Sequence, residues 1–185
     1  MVLLGNLSPV ALSQNRLFAT RLSADGYREL ALAFCRKAYP IEALLKGLQT
    51  RSEGQVEQQR AGFLLLHVHR TCPRLLDGHL ALLVDLLDGP EEATHHASYP
   101  RQAFSVLQDR PLAEAIAGRV FAKAVDYYLD RSLDVAVRVR ALDAARNVAT
   151  QYPGLWPEVR ELAQLVGEED RPGLRSLAGR ILRAG

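Results

Sequence analysis

The five histidines are the first residues that could indicate a metal site or acid–base catalysis. His67 and His69 stand two residues apart on a predicted helix, so about 200° of rotation separates them and they cannot bind one ion together. His79 lies alone on another predicted helix. His95 and His96 follow two glutamates in a long polar connection, but adjacent residues rarely chelate from one helix. The sequence therefore predicts no metal and no cofactor.

Nucleophilic catalysis and phosphate binding have sequence signatures of their own. The chain contains no Gly-x-Ser-x-Gly, no Ser-x-x-Lys and no glycine-rich phosphate loop. We therefore name no catalytic residue. Enzymatic activity stays undecided, and a non-enzymatic function is favoured.

The two cysteines, Cys35 and Cys72, fall within helical patterns and lack the Cys-x-x-Cys spacing of a zinc or redox site. We expect two buried thiols rather than a disulfide. The N-terminal residues Met-Val-Leu-Leu-Gly-Asn lack the basic segment and long apolar run of a secretory signal. The sequence therefore predicts a cytoplasmic location.

These residues must be positioned by a chain of 185 residues that is 48% hydrophobic and 24% charged, which is typical of a soluble globular protein. Its apolar runs are only a few residues long, so no membrane span is predicted. Helical periodicity dominates and alternating strands are missing, which predicts an all-α fold. The candidate helices cover residues 8–22, 25–38, 41–49, 54–71, 74–88, 92–108, 113–130, 134–151, 154–166 and 172–184.

Similar residues recur along these helices at intervals of about 40 residues. Arg60 and Arg101 are 41 residues apart, and Arg101 and Arg140 are 39 apart. Pro73 and Pro153, which each end one helix and begin another, are separated by 80 residues. The period predicts a repeat that consists of two helices and a tight turn.

The best-matching segment, residues 134–145, reads Asp-Val-Ala-Val-Arg-Val-Arg-Ala-Leu-Asp-Ala-Ala and resembles the Asp-x-x-Val-Arg-x-x-Ala-x-x-Ala core of HEAT repeats. The resemblance implies one domain over residues 1–185, folded as a right-handed α-α superhelix of about four helix pairs. We place these pairs at residues 24–50, 53–88, 92–130 and 134–166, with capping helices at 8–22 and 172–184.

At a finer level, residues 60–76, 137–156 and 180–182 resemble a small group of bacterial HEAT-like proteins, some of which carry the label adenylosuccinate lyase. The lyase superfamily's loop reads Ser-Ser-x-Met-Pro-x-Lys-x-Asn. It has no counterpart here, because Met1 is the chain's single methionine.

In HEAT arrays the second helix of each pair lines the concave face, as the resemblance implies. The predicted second helices carry five basic and nine acidic residues, a balance that disfavours nucleic acid and favours a basic peptide or helix. Tyr127, Tyr128 and Trp156 lie on these helices and either pack against the next repeat or serve as exposed anchors at an interface. With Asp126 and Glu158, they are the candidate protein-interaction residues.

The last predicted helix is the second place where charge is concentrated. Four arginines, Arg171, Arg175, Arg180 and Arg183, are predicted to lie opposite an apolar face formed by Leu174, Leu177, Ile181 and Leu182. We interpret this helix as a cap with a solvated polar face.

The leading functional hypothesis is a non-enzymatic scaffold that binds an unidentified protein or a second copy of itself. One alternative is a DNA-binding or alkylpurine-glycosylase-like HEAT protein, which would use a basic concave groove with aromatic and acidic residues at the lesion. The remaining alternative is adenylosuccinate lyase activity.

Overall fold

The computed structural model describes residues 17–18, 21–49, 55–88 and 98–184, and these residues form helices and turns without any strand. The all-α prediction is therefore confirmed. The α-helices are α1 (Ala24–Cys35), α2 (Ile41–Gln49), α3 (Gln55–Thr71), α4 (Leu80–Asp85), α5 (Ser98–Leu107), α6 (Glu114–Leu129), α7 (Val135–Gln151), α8 (Trp156–Gln164) and α9 (Pro172–Arg183). Short 3₁₀ helices cover Pro73–His79, Leu86–Asp88 and Pro153–Leu155.

Helix starts follow the capping residues in the sequence. Ser23 caps α1, since its hydroxyl accepts a hydrogen bond from the Gly26 amide at 3.1 Å. Asp134 caps α7 in the same way by accepting from the Ala136 amide at 2.8 Å. The predicted helix at 8–22 and the connection at 88–98 lie mostly outside the described residues.

The predicted helix at 74–88 differs from the structure, where α4 is short and has a 3₁₀ helix on each side. Pro73 has no amide hydrogen to donate, and Gly78 disfavours a helix interior by about 1 kcal/mol relative to alanine. The backbone bond from the Leu75 amide to the Cys72 carbonyl spans three residues, as in a 3₁₀ turn. Local propensity therefore divides what hydrophobic periodicity predicts as one helix.

The chain divides into two compact units, Met1–Leu75 and Leu76–Gly185. In the first unit, α1 and α2 both pack against α3. Its fully buried side chains include Phe34, Leu44, Leu48, Leu64 and Leu65.

The prediction of two free thiols is wrong, because Cys35 and Cys72 form a disulfide, with their Cα atoms 5.8 Å apart. Cys35 is the last residue of α1 and Cys72 directly follows α3. Packing of α1 against α3 brings these ends together, and sequence spacing alone does not reveal this contact. Structural disulfides persist mainly in oxidising compartments, so this bond does not support the predicted cytoplasmic location.

In the second unit, α7 is the central helix and packs against α5, α6, α8 and α9. Its core face is rich in alanine, with Ala141, Ala144, Ala145 and Ala149 buried, which allows close approach of the neighbouring helices. The small residues that repeat along the sequence of α7 thus serve as packing positions.

Side-chain hydrogen bonds connect successive parts of the second unit. The Tyr127 hydroxyl donates to the Leu87 carbonyl at 3.0 Å, and the Tyr152 hydroxyl donates to the Leu112 carbonyl at 2.7 Å. Each bond spans 40 residues of sequence.

None of the described helices is both long enough and apolar enough to cross a membrane.

Candidate functional site

The two adjacent tyrosines of α6 lie in the core of the second unit, so neither is a surface anchor. Tyr127 packs edge-on against Phe104, with ring centroids 5.4 Å apart. Tyr128 donates its hydroxyl hydrogen to the Leu162 carbonyl of α8 at 2.7 Å. Of the two interpretations that the sequence left open for this pair, the structure supports packing.

Tyr128 belongs to a buried polar network that the sequence did not predict. Arg138 donates from Nε to the Tyr128 carbonyl at 3.0 Å, and its guanidinium carbon lies 5.6 Å from the centre of the Tyr128 ring. Its Nη1 atom is 3.6 Å from Asp170 Oδ1, with both side chains about nine-tenths buried. Burial raises the pKa of the Tyr128 hydroxyl, and Arg138 opposes this shift.

The network connects four successive parts of the second unit. Asp170 also accepts from the Gly167 amide at 3.1 Å, which fixes the turn between α8 and α9. The Val-Arg dipeptide that ends at Arg138 was visible in the sequence. Asp170, the ion-pair partner of Arg138, lies 32 residues further along the chain, and local sequence patterns do not connect residues that far apart.

The remaining three predicted interaction residues are accessible. Asp126 is exposed near the end of α6, with Oδ2 4.0 Å from Lys123 Nζ. Glu158 is exposed in the first turn of α8, and Trp156 is half-buried as the first residue of that helix. The Tyr128 hydrogen bond to Leu162 links the two helices that carry them.

Exposed residues form one stripe on each of these helices. On α8 the stripe contains Glu158, Glu161 and, just after the helix, Leu165, which is 54% exposed. On α6 it contains Asp126 and Leu129, which is 49% exposed. Both helices pack against α7, so their exposed stripes face away from α7.

Charge is segregated between two sets of helices in the second unit. The described helices α4, α6 and α8 carry five acidic and three basic residues. In contrast, α5, α7 and α9 carry seven arginines and a single acidic residue, Asp143. The acidic excess predicted for second helices is therefore present in this unit and is accompanied by a basic excess on the other helices.

The last helix shows both a confirmed and a wrong prediction. Arg171, Arg175, Arg180 and Arg183 are all exposed, whereas Leu174, Leu177 and Ile181 are buried. Leu182, which we placed on the apolar face, is instead 45% exposed. At 100° per residue it lies about 20° from Arg175 around the helix, and so belongs to the arginine side.

The first unit contains a cavity of about 560 Å³ between α1 and α3. The rings of Tyr27 and His67 stack in its wall with centroids 5.7 Å apart, and Phe63 lies beside them. Burial lowers the pKa of His67, and the nearby cations Arg70 and Arg28 lower it further. His67 is therefore a stacked imidazole whose surroundings favour the neutral form.

Within the described ranges, no cluster of histidine, cysteine, aspartate or glutamate could hold a metal ion. His95 and His96 lie outside those ranges. Exposed side chains of the second unit include charged groups and the leucines Leu129, Leu165 and Leu182. The chain matches no protein-family model, no curated protein and no solved structure.

Proposed function

We propose that the chain is a non-enzymatic helical-repeat scaffold that binds another protein. Binding would use a surface on α6 and α8, which we call the acidic surface: Asp126, Leu129, Glu158, Glu161 and Leu165. The observation that carries this proposal is the combination of carboxylates with two exposed leucines on neighbouring helices.

Support for a repeat architecture comes from hydrogen bonds in the second unit. Two tyrosine hydroxyls bond to carbonyls 40 residues earlier in the chain, which is the period found in the sequence. Helix packing has the same alternation, because α7 contacts both α5 and α9, the helices before and after it in its own set. This is the arrangement expected if equivalent positions of neighbouring HEAT-like pairs stack on one another.

The chemistry of the acidic surface specifies the partner. Neither Glu158 nor Glu161 forms an ion pair with any described residue, so both carboxylates are available to an incoming cation. Leu129 and Leu165 offer apolar area that a phosphate backbone would not cover. The matching partner is a basic protein segment that also carries an apolar side chain, with Trp156 available at the edge as an aromatic contact.

A displayed peptide library tests this proposal directly. The purified full chain should select peptides with net positive charge and leucine or aromatic residues. The variant Asp126→Asn/Glu158→Gln/Glu161→Gln should lose most of this selection, because its carboxylates are replaced by neutral amides of similar shape.

A matched control removes the same number and types of exposed carboxylates from the first unit: Asp25→Asn/Glu29→Gln/Glu42→Gln. This control should select the same peptides as the unaltered chain. Selection of acidic peptides, or equal loss of selection in both triple variants, would show that the acidic surface is not the binding site.

A further inference from the structure

The basic protein surface that the acidic surface needs is present on the chain itself. We define the basic surface as the exposed side of α9 together with Arg171, which directly precedes the helix: Arg171, Arg175, Arg180, Leu182 and Arg183. Since α9 contains no acidic residue, nothing within the helix neutralises these cations.

The four arginines are also unpaired with the rest of the described chain. None of them forms an ion pair or a side-chain hydrogen bond with a described residue. Residues 171 to 183 span about 18 Å along the helix axis, and at 100° per residue the four arginines spread over about half of its circumference, so the cations are presented over an area rather than at one point. A partner must therefore offer several carboxylates or phosphates along a similar length.

The exposed leucines favour a protein partner that offers carboxylates over a nucleic acid that offers phosphates. All three large hydrophobic side chains that are exposed among the described residues of the second unit, Leu129, Leu165 and Leu182, belong to the acidic or the basic surface. Apolar contact between leucines strengthens a protein interface but contributes little against a phosphate backbone. The chain's overall charge of +2 is also close to neutral, which favours self-association over polyanion binding.

We propose that the partner is a second copy of this chain, with the acidic surface of each copy against the basic surface of the other. The helices α8 and α9 pack directly against each other, so surfaces of opposite sign lie on neighbouring helices. In the proposed dimer a two-fold rotation places each surface against its opposite in the other copy, which is the pattern of a self-complementary dimer. This inference rests on the proposed function, because it names the protein that occupies the acidic surface.

Charge reversal followed by charge exchange provides the decisive experiment. The full chain should sediment as a dimer at about 50 mM NaCl and dissociate toward monomer at about 500 mM, where exposed charges are screened. Glu158→Arg/Glu161→Arg should weaken the dimer at least about tenfold, as should Arg175→Glu/Arg180→Glu, because each places like charges opposite one another. The fourfold exchange variant should restore much of the dimer, since the two exchanged pairs of positions are again of opposite sign.

Two variants separate this pairing from general charge effects. Glu29→Arg/Glu42→Arg makes the same reversal on exposed positions of the first unit and should leave dimerisation unchanged. Leu182→Ser should weaken the dimer at both salt concentrations, because the contribution of the leucine is apolar. Far-UV circular dichroism of each variant verifies that the helices are intact.

Several outcomes would overturn the inference. The first is that the unaltered chain is monomeric at low salt and about 100 μM protein, a concentration well above the micromolar range of ordinary specific complexes. The second is that the fourfold exchange variant stays monomeric. A monomer that binds duplex DNA, and loses this binding in Arg175→Glu/Arg180→Glu, would assign the arginines to phosphate instead. If basic peptides are still selected while the chain is monomeric, only the second-copy inference falls. If no peptide is selected by a monomeric chain, the proposed function falls as well.

Discussion

Removal of the disulfide should destabilise the chain by an amount that follows from sequence separation. Cys35 and Cys72 are 37 residues apart, and the bond restricts the unfolded chain by closing the loop between them. The chain-entropy relation gives about 4 kcal/mol for a loop of this length near room temperature. We therefore expect Cys35→Ser/Cys72→Ser to lower the free energy of unfolding by about this amount.

Urea unfolding followed by far-UV circular dichroism measures the effect. The unaltered chain under oxidising conditions should have the higher midpoint, and addition of a thiol reductant should bring it to that of the double serine variant. The reductant should leave the variant's own midpoint unchanged. The double alanine variant at the same positions controls for the serine hydroxyls, because both cysteines are half-buried.

Counting free thiols by alkylation tests whether the Cys35–Cys72 disulfide forms. Alkylation of the unfolded, unreduced chain should label no cysteine, and after reduction it should label two. Two labelled thiols in protein purified without reductant, together with a reductant-independent urea midpoint, would show that the bond does not form. The expected stabilisation would then be refuted, and free thiols would again be consistent with a reducing compartment.

Four further variants test the packing of the two units and the pH dependence of stability. Arg138→Met leaves the Asp170 carboxylate buried without its partner and should lower the urea-unfolding free energy by about 3–5 kcal/mol; an unchanged midpoint would mean that the pair is not buried in solution. Gly118→Ala, where an added methyl meets open space within α6, should raise stability by about 0.5–1 kcal/mol. Gly47→Ala, where the added methyl would overlap the ring of Phe18, should lower the free energy of unfolding by about 1–3 kcal/mol. Equal effects of the two glycine substitutions would contradict this packing. Burial lowers the pKa of His67 in the folded chain, so the unfolded chain binds a proton at this residue more readily. The free energy of unfolding should therefore decrease as pH falls below about 6.5, the ordinary pKa of histidine. Urea titrations at several pH values should therefore show a shallower acid loss in His67→Gln than in the unaltered chain, and parallel curves would refute this linkage.

Most of the fold elements could be predicted because their signals are local. Capping by Ser23 and Asp134, and the apolar stripe of α7, depend on residues within about one or two helical turns. The division of the 74–88 segment was missed because hydrophobic periodicity was weighed above the local effects of Pro73 and Gly78. The effects of Pro73 and Gly78 are both local, so the division of this segment can be predicted from sequence when helix propensity is considered together with hydrophobic periodicity.

The candidate surface could be predicted only in part. Asp126 and Glu158 are exposed, as contact residues must be, and their role in binding stays a prediction. Tyr127 and Tyr128 were selected for their residue type, but their burial depends on which helices surround α6. Leu182 was assigned to the wrong face because it lies near the boundary of a narrow apolar stripe, where a rotation of some tens of degrees decides exposure.

The sequence by itself determined most of the helices, the 40-residue period and the acidic balance of α4, α6 and α8, because each depends on residue type and regular spacing. Tertiary structure alone decided the Cys35–Cys72 disulfide, the Arg138–Asp170 pair and the contact between α8 and α9. Each of these joins residues from different helices. Such contacts follow from how the helices pack, and no single segment of the sequence encodes them.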